Sequence, residues 1–444
     1  MWNALQVTFH FIKCILLYTL GLDRDADSYL AGKSILRNMS YRLEASAAKD
    51  SLIGFRVFWR VLKQLFRASI PKVAYNEHCI FDGKVSSSEL RSTYVAWQNG
   101  ANASFISRDR LLFMPARGGS LVLVFFVILF LPIYCLATLF LPSRAKIALL
   151  LTEYVELINL SMLLKQGGVK RLFFFSPYEK DANLMALYLM QKGVLVSKHP
   201  SPGPLMTHNS IVIADILALS SEYQREEIEG SALQIRAKKI EKWFPENSQK
   251  YLPLYAKKDV VSPALTVGFY SHASWLRKKK NHSDDGLNIV AAETLLLTEL
   301  ALFLKEHKNV QLVVFLHPRE RHPSVVSQSH HYYADFFSGL TYSISPDTTK
   351  TDAAFDTVDV AVAAFSTILY ERLFAGFKTL IASYGIAGFP IKDSALSSIT
   401  VNQKGQLDKK LQEALNSTTP DFFASHRLFG YRYFEYERWQ QKTT

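Results

Sequence analysis

The sequence is poor in cysteine: Cys14, Cys79 and Cys135 are its three among 444 residues. They are widely separated and odd in number, and Cys14 and Cys135 lie in apolar runs, so neither a disulfide framework nor a thiolate metal site is expected. That fits a reducing compartment. The opening stretch "MWNALQVTFHFIKCILLYTLGLD" lacks a basic n-region and a small-residue cleavage site. It therefore reads as an amphipathic or interfacial helix and not as a secretion signal. Internal repeats and low-complexity segments are missing too. Acidic residues are in deficit, with 39 Asp and Glu against 51 Lys and Arg for a net charge of +12. Such a balance points to an anionic partner: lipid headgroups, a nucleotide or a nucleic acid. The basic residues are dispersed over several elements without a recognition module, so nucleic acid is the weakest of the three.

Charge itself is absent from Ser120 to Leu141, within "GGSLVLVFFVILFLPIYCLATLFLP". Arg108, Arg110 and Arg117 precede this run, and Arg144 and Lys146 follow it. A single span would put one of these clusters on the unfavoured side of a bilayer. Pro132 divides the run into halves, each shorter than the ~20 residues a span needs. The expectation is a bent hairpin over 119–142 that enters and leaves one leaflet, with a single span and a buried core helix as the alternatives. In "FRVFWRVLKQLFRASIP", Arg56, Arg60, Lys63 and Arg67 share one helical face and aromatics fill the rest. This is either a basic amphipathic helix drawn to an anionic membrane or a core helix with a solvated stripe. Residues 1–146 are thus expected to be a helical, membrane-associating region.

Beyond Pro142 the pattern changes. Short apolar runs such as "RLFFFS", "VLVS", "SIVIADILAL", "ALTVGFYS", "VQLVVFLHP" and "VDVAVAAFS" alternate with helical stretches. Strands alternating with helices imply βαβ units and parallel sheets. The expected fold class is α/β: one Rossmann-like domain over 147–245, a Pro-punctuated linker over 246–262 and a second Rossmann-like domain over 263–420. A C-terminal helix over 421–444 is expected to return to the first domain. The segment 220–244 reads as helix.

In open α/β sheets ligands bind beyond the C-terminal ends of the strands, so the residues just after each apolar run matter most. After "QLVVFL" come His317, Pro318, Arg319, Arg321 and His322, a histidine beside fixed positive charges that can meet a phosphate or merely form an exposed basic loop. After "VDVAVAAF" come Ser366 and Thr367 at a helix start, where a hydroxyl either caps the helix or helps it receive an anion. Glu371, one turn further on, can accept hydrogen bonds from a ribose diol. Ser271 and His272 follow "ALTVGFY" and can touch a donor phosphate or serve as ordinary loop residues. After "RLFFFS", Glu179 and Asp181 are candidates for a general base, although Asp181 is equally a helix N-cap.

With His317–Pro318 and Ser366–Thr367 in this order, the chain resembles the inverting GT-B glycosyltransferases of bacterial surface polysaccharide synthesis (capsule, lipopolysaccharide). Within these it looks most like the CMP-sugar users, sialyltransferase-like and Kdo-transferase-like. The resemblance covers residues 263–416 in motifs and 147–245 in architecture alone. It implies that His317 contacts the donor phosphate and protonates it as the nucleotide leaves, that Ser366 and Thr367 hold the same phosphate, and that Glu371 binds ribose. It also implies an acidic pair upstream, matched by Asp284 and Asp285 in "SDDG", which can equally cap the following helix and offset "RKKK". An acceptor on the first domain, a nucleotide-sugar co-substrate with no further cofactor, and no metal are implied as well. No DxD-type pair stands at a suitable strand end. The expected partners are the donor, a glycan or lipid-linked acceptor and an anionic membrane surface, at the cytoplasmic face of the bacterial inner membrane. The oligomeric state is left open. A CDP-polyol phosphotransferase of teichoic-acid type and a non-catalytic polysaccharide export scaffold are the alternatives.

Overall fold

The computed structural model describes residues 13, 23–34, 76–81, 103–106, 157, 160–174, 180–199, 211–230, 234–243, 265–279, 288–346, 351–364, 366–386 and 395–434. The chain divides into two compact units, each containing a six-stranded sheet.

The first unit holds β1 (His78–Phe81), β2 (Ala103–Ile106), β3 (Arg171–Phe174), β4 (Leu195–Lys198), β5 (Ile211–Leu219) and β6 (Gln234–Lys242), in the order β2-β1-β3-β4-β5-β6. β1 pairs in parallel with β2 and with β3, and β3–β4 and β4–β5 are parallel as well. β5 reads IVIADILAL and is buried along nearly its whole length, as expected for a strand covered on both faces. The strand order 2-1-3-4-5 reverses between β1 and β3, which makes the end of β3 the place where such a sheet binds ligands. Helix α1 (Lys180–Gln191) follows β3.

Two features depart from the reading of the sequence. β1 and β2 come from the stretch expected to be helical, and they form one side of this sheet. The segment expected to be one helix over 220–244 is a helix, α2 (Glu222–Gly230), followed by the edge strand β6. "QIRAKKIEK" is rich in helix formers, but its place at a sheet edge suits a strand bristling with lysine, which discourages further pairing. No helix among the described residues is long and apolar enough to cross a membrane. The expected hairpin 119–142, the basic helix 55–71 and the linker 246–262 lie outside the described residues.

The second unit is a complete doubly wound layer. It contains β7 (Leu265–Tyr270), β8 (Val310–Phe315), β9 (Tyr342–Ile344), β10 (Val360–Ala363), β11 (Thr379–Ala382) and β12 (Thr400–Val401). All are parallel, in the order β12-β11-β10-β7-β8-β9. Read from the other edge, this is the 3-2-1-4-5-6 order of dinucleotide-binding sheets, with the switch point between β7 and β10. The helices are α3 (Ser274–Lys279), α4 (Ile289–Glu306), α5 (Val326–Phe337), α6 (Thr367–Phe374), α7 (Leu407–Asn416) and α8 (Thr419–Ser425). β10 (VAVA) and β11 (TLIA) are buried at every position, and α4 lays Ile289, Ala292, Leu296, Leu297, Leu300, Phe303 and Leu304 into the core.

Residues 421–434 form the end of α8 and one 3-10 turn, Phe429–Tyr431, in place of a continuous helix. They pack on α2, which belongs to this unit: Tyr223 lies against Tyr431 (centroids 5.2 Å apart) and stacks on Tyr370 (6.3 Å), and Ser221 bridges Tyr433.

Gly268 in the middle of β7 marks a close approach. A Cβ there would meet Val358 Cγ2 at 2.8 Å and Phe315 Cε2 at 3.2 Å, both in the packed core. Gly268→Ala is therefore expected to destabilise the unit by about 1–3 kcal/mol through overpacking. The midpoint of a denaturant titration measures this, and an unchanged midpoint would show that the core yields freely there.

Candidate functional site

Three of the sequence-predicted segments follow β8, β7 and β10, which are neighbours in the sheet. The parallel register places the ends of these strands side by side, so the residues after Tyr270, Phe315 and Ala363 share one edge at the switch point.

After β7, Ser271 continues the ladder by donating its N–H to the Phe315 carbonyl. Ala273 then takes a left-handed φ of 57°, a conformation that is strained for a residue with a Cβ. The turn is held from below. Ser271 Oγ accepts the Ala273 N–H at 2.9 Å. Fully buried Glu293, from α4, accepts the His272 N–H (2.8 Å) on one oxygen and the Ser274 hydroxyl (2.7 Å) and N–H (3.3 Å) on the other.

After β8, Glu320 is also fully buried and works in the same way. One of its oxygens accepts the His317 N–H at 2.8 Å. The other accepts the Trp275 indole N–H at 2.5 Å and lies 2.8 Å from the Tyr333 hydroxyl. Tyr333 Oη is also 2.7 Å from Ser271 Oγ. With one proton to give and a carboxylate that only accepts, Tyr333 donates to Glu320 and receives the Ser271 proton. Burial, reinforced by the charges on Glu320 and Glu293, raises the Tyr333 phenol well above its ordinary value, so it stays a donor.

His317 is half-buried, and its Nδ1 accepts the Arg319 N–H at 3.1 Å. A ring nitrogen that accepts carries no proton, so this contact assigns the proton of the neutral imidazole to Nε2. The rings of His272 and His317 meet edge to face with centroids 6.2 Å apart. Pro318 and Arg319 are exposed, Arg321 donates to the Leu316 carbonyl at 3.0 Å, and His322 pairs with Ser324.

After β10, Ser366 occupies the N-cap position of α6 with extended φ and ψ, yet its side chain makes no capping hydrogen bond. Of the two readings of Ser366, the capping one thus lacks its hydrogen bond. Thr367 is exposed, and Glu371 is half-buried one turn inside α6. Asp181 is the second residue of α1, directly after β3 in the first unit, whereas Glu179, Asp284 and Asp285 lie outside the described residues.

Three features of the molecule were invisible in the sequence pattern. Glu293 and Glu320 are two, because a glutamate on a helix or in a basic loop reads as solvent-facing. The third is Lys198, fully buried at the end of β4, where its ammonium meets Asn183 Oδ1 at 2.6 Å over the Phe174 ring; burial lowers its pKa well below the usual lysine value. Its neighbour His199 donates its Nδ1–H to the Ala218 carbonyl at 2.9 Å, and burial pushes its pKa down to about 3, so the ring is neutral. Among the described residues, Glu306, His307 and Asp408 bring possible metal-ligand atoms within 4.8 Å of one another. Glu306 and His307 close the end of α4 opposite Glu293, and Asp408 is the second residue of α7.

Burial pushes the Glu293 carboxyl up to about 7, against the hydrogen bonds from Ser274 and His272 that pull it down; the nearby Glu320 charge adds to the rise. A carboxyl raised above its ordinary 4.5 binds its proton more tightly in the folded chain. The stability associated with that proton is fully present below about pH 4.5 and is lost as pH rises to about 7. Melting scans across this window are expected to show the wild type losing stability relative to Glu293→Gln. Parallel curves for the two proteins would contradict the assignment.

No protein-family model matches the chain, and no curated protein matches its sequence. Among solved structures, it is similar to Acinetobacter baumannii MurG at 12% identity and a TM-score of 0.44, over 82% of this chain and 94% of the other. The wall teichoic acid polymerase TagF has 12% identity and a TM-score of 0.44, over 93% and 95% of the two chains. The UDP-GlcNAc 2-epimerase of Methanocaldococcus jannaschii, in complex with UDP-GlcNAc and UDP, has 9% identity and a TM-score of 0.42, over 77% and 93%. Likeness this distant decides nothing about the reaction.

Proposed function

We propose that the protein is a GT-B glycosyltransferase that moves a sugar from a nucleotide donor, a CMP-sugar by preference, to a cell-surface glycan or lipid-linked acceptor. The observation that carries this reading is the convergence of His272, His317 and the α6 start at one switch point. Two imidazoles, a helix start with unpaired N–H groups and two hydroxyls make a cation-free receptor for phosphate. Glu371, one turn along α6, suits the ribose.

In the reaction, the acceptor hydroxyl attacks the anomeric carbon from the face opposite the nucleotide, inverting the configuration. Its proton passes to a general base, and the bond from the anomeric carbon to the phosphate oxygen breaks. The electron pair leaves with the nucleotide, whose phosphate is stabilised by His317 Nε2–H, His272, Ser366 and Thr367, with Arg319 adding fixed charge. No metal or further cofactor takes part. The apolar run 119–142 and the basic stretch 55–71 would hold the enzyme at the cytoplasmic side of the inner membrane, beside lipid-linked acceptors.

Incubation with CMP-, CDP-, UDP- and GDP-linked donors tests the reading, with nucleotide release as the signal. CMP release from a CMP-sugar is the expected result; release from none of them would overturn it. The facing imidazoles also suit phosphoryl transfer, so a CDP-polyol phosphotransferase is the second reading. Turnover of a CDP-polyol alone would favour it.

A further inference from the structure

Glu320 stands between the two histidine-bearing loops. Its backbone belongs to the loop after β8, where its N–H donates to the His317 carbonyl (2.8 Å) and its carboxylate accepts the His317 N–H. The same carboxylate reaches the loop after β7 by two routes: directly through the Trp275 indole, and through Tyr333 to Ser271. Ser271 and Trp275 flank His272 in sequence. Tyr333 belongs to α5, and Ser329 on the same helix donates to the Glu320 carbonyl at 3.1 Å, so the third element is fastened at the same point. Trp275 is in turn steadied by stacking on Tyr332, centroids 5.0 Å apart and planes 18° off parallel.

We propose that Glu320 is a positioning residue for the donor phosphate: its carboxylate cross-links the His272 loop to the His317 loop and so sets the spacing of the two imidazoles. The proposal deepens the transferase reading and rests on it for the identity of the ligand. The chemistry requires an ionised carboxylate. All three groups that meet Glu320 give a proton, two being N–H groups that cannot accept. An amide of the same shape would turn its NH₂ toward the His317 N–H or toward the Trp275 N–H, and either orientation sets two donors against each other. Glu320→Gln therefore keeps the volume and breaks the cross-link. Removing the indole donor as well relieves the clash. In Glu320→Gln with Trp275→Phe, the amide oxygen takes the His317 N–H and the NH₂ faces Tyr333, whose hydroxyl can accept once its own proton turns to Ser271. Phenylalanine retains an aromatic ring to lie on Tyr332.

The test uses the full-length chain and has two readouts. Imidazole ¹⁵N spectra report the His317 tautomer without any donor present, and steady-state kinetics with the best donor separate kcat from KM. Glu320→Gln is expected to remain folded by circular dichroism, to lose the preference of His317 for the Nε2–H tautomer, and to drop in kcat by about 10- to 100-fold while KM changes little. The double variant is expected to recover most of both, a coupling that two independent structural defects would not produce. A wild-type tautomer and kcat in Glu320→Gln would overturn the proposal. So would a double variant no better than the product of the single effects. If the wild type turns over no donor, the transferase reading falls, while the imidazole spectra still decide whether Glu320 fixes the pair.

Discussion

Replacing His317 by alanine is expected to lower the rate of nucleotide release by roughly 10²–10³, the effect of removing one preorganised donor from a developing oxyanion. The tautomer sharpens what is lost. With Nδ1 accepting the Arg319 N–H, the neutral ring carries its proton on Nε2, and protonating Nδ1 would set two donors face to face. Under the proposed reaction, this tautomer suits His317 as a hydrogen-bond donor to the leaving phosphate better than as an imidazolium that surrenders its proton. The two roles separate in one experiment. Glutamine places an amide N–H near the position of Nε2, so His317→Gln is expected to retain a substantial part of kcat, whereas His317→Ala retains little. Equal loss in the two variants would mean that proton transfer, and not donation of a hydrogen bond, is what the residue supplies. Melting temperatures of the variants check that the loop still folds, since Glu320 holds the His317 backbone whatever its side chain.

The second sheet was legible because its inner strands β10 and β11 are buried at every position and read as continuous apolar runs, closed by polar residues. For the same reason the strand-end candidates were legible: His272, His317 and Ser366 are the polar residues at which such runs stop. The sequence pattern says nothing about what lies beneath them. Glu293 sits between Ala292 and Leu296 on a helix whose other face is solvent, and its partners are backbone N–H groups of a turn elsewhere in the chain. Only the fold brings donors and carboxylate together. β6 was misread for a different cause. Lysine, glutamate, alanine and glutamine favour helix intrinsically, and an edge strand accepts them because half its surface faces water. β1 is four residues long, too short for any period to register, and its identity as a strand comes from pairing with β2 and β3.

Arg372 is where the largest effect on stability is expected. It follows Glu371 in "YERLF", and a charged pair on a short helix reads as solvent-facing, yet the Arg372 side chain is fully buried. The guanidinium lies over the rings of Phe355 and Phe377, at 5.5 and 5.0 Å from their centroids, and donates to the carbonyls of Phe355, Val358 (2.9 Å) and Lys378 (3.3 Å). No carboxylate forms an ion pair with it among the described residues. Burial lowers its pKa, against the nearby Tyr270 hydroxyl and the charges of Asp359 and Asp356, and the two rings and three carbonyl dipoles further offset the cost of keeping the charge out of water. These contacts tie α6 to the turn before β10 and to the turn before β11, so one side chain fixes the helix whose first residues are Ser366 and Thr367. Arg372→Met has nearly the right length and no donors. It would take the guanidinium donors from all three carbonyls; Lys378 keeps the Ala361 N–H at 3.1 Å, and the Phe355 and Val358 carbonyls, at ~1–3 kcal/mol each, give an expected total of about 2–5 kcal/mol after partial relaxation. Lysine can serve one carbonyl but cannot span three, so Arg372→Lys is expected to recover less than half of that. Chemical denaturation of the two variants reads the difference directly. Below the melting point, the surviving folded Arg372→Lys should also bind CMP more weakly, because a loosened α6 no longer presents its N-terminus at the switch point. Wild-type stability in Arg372→Met would mean that the carbonyls find other donors, and the fork would then have no structural role to explain its burial.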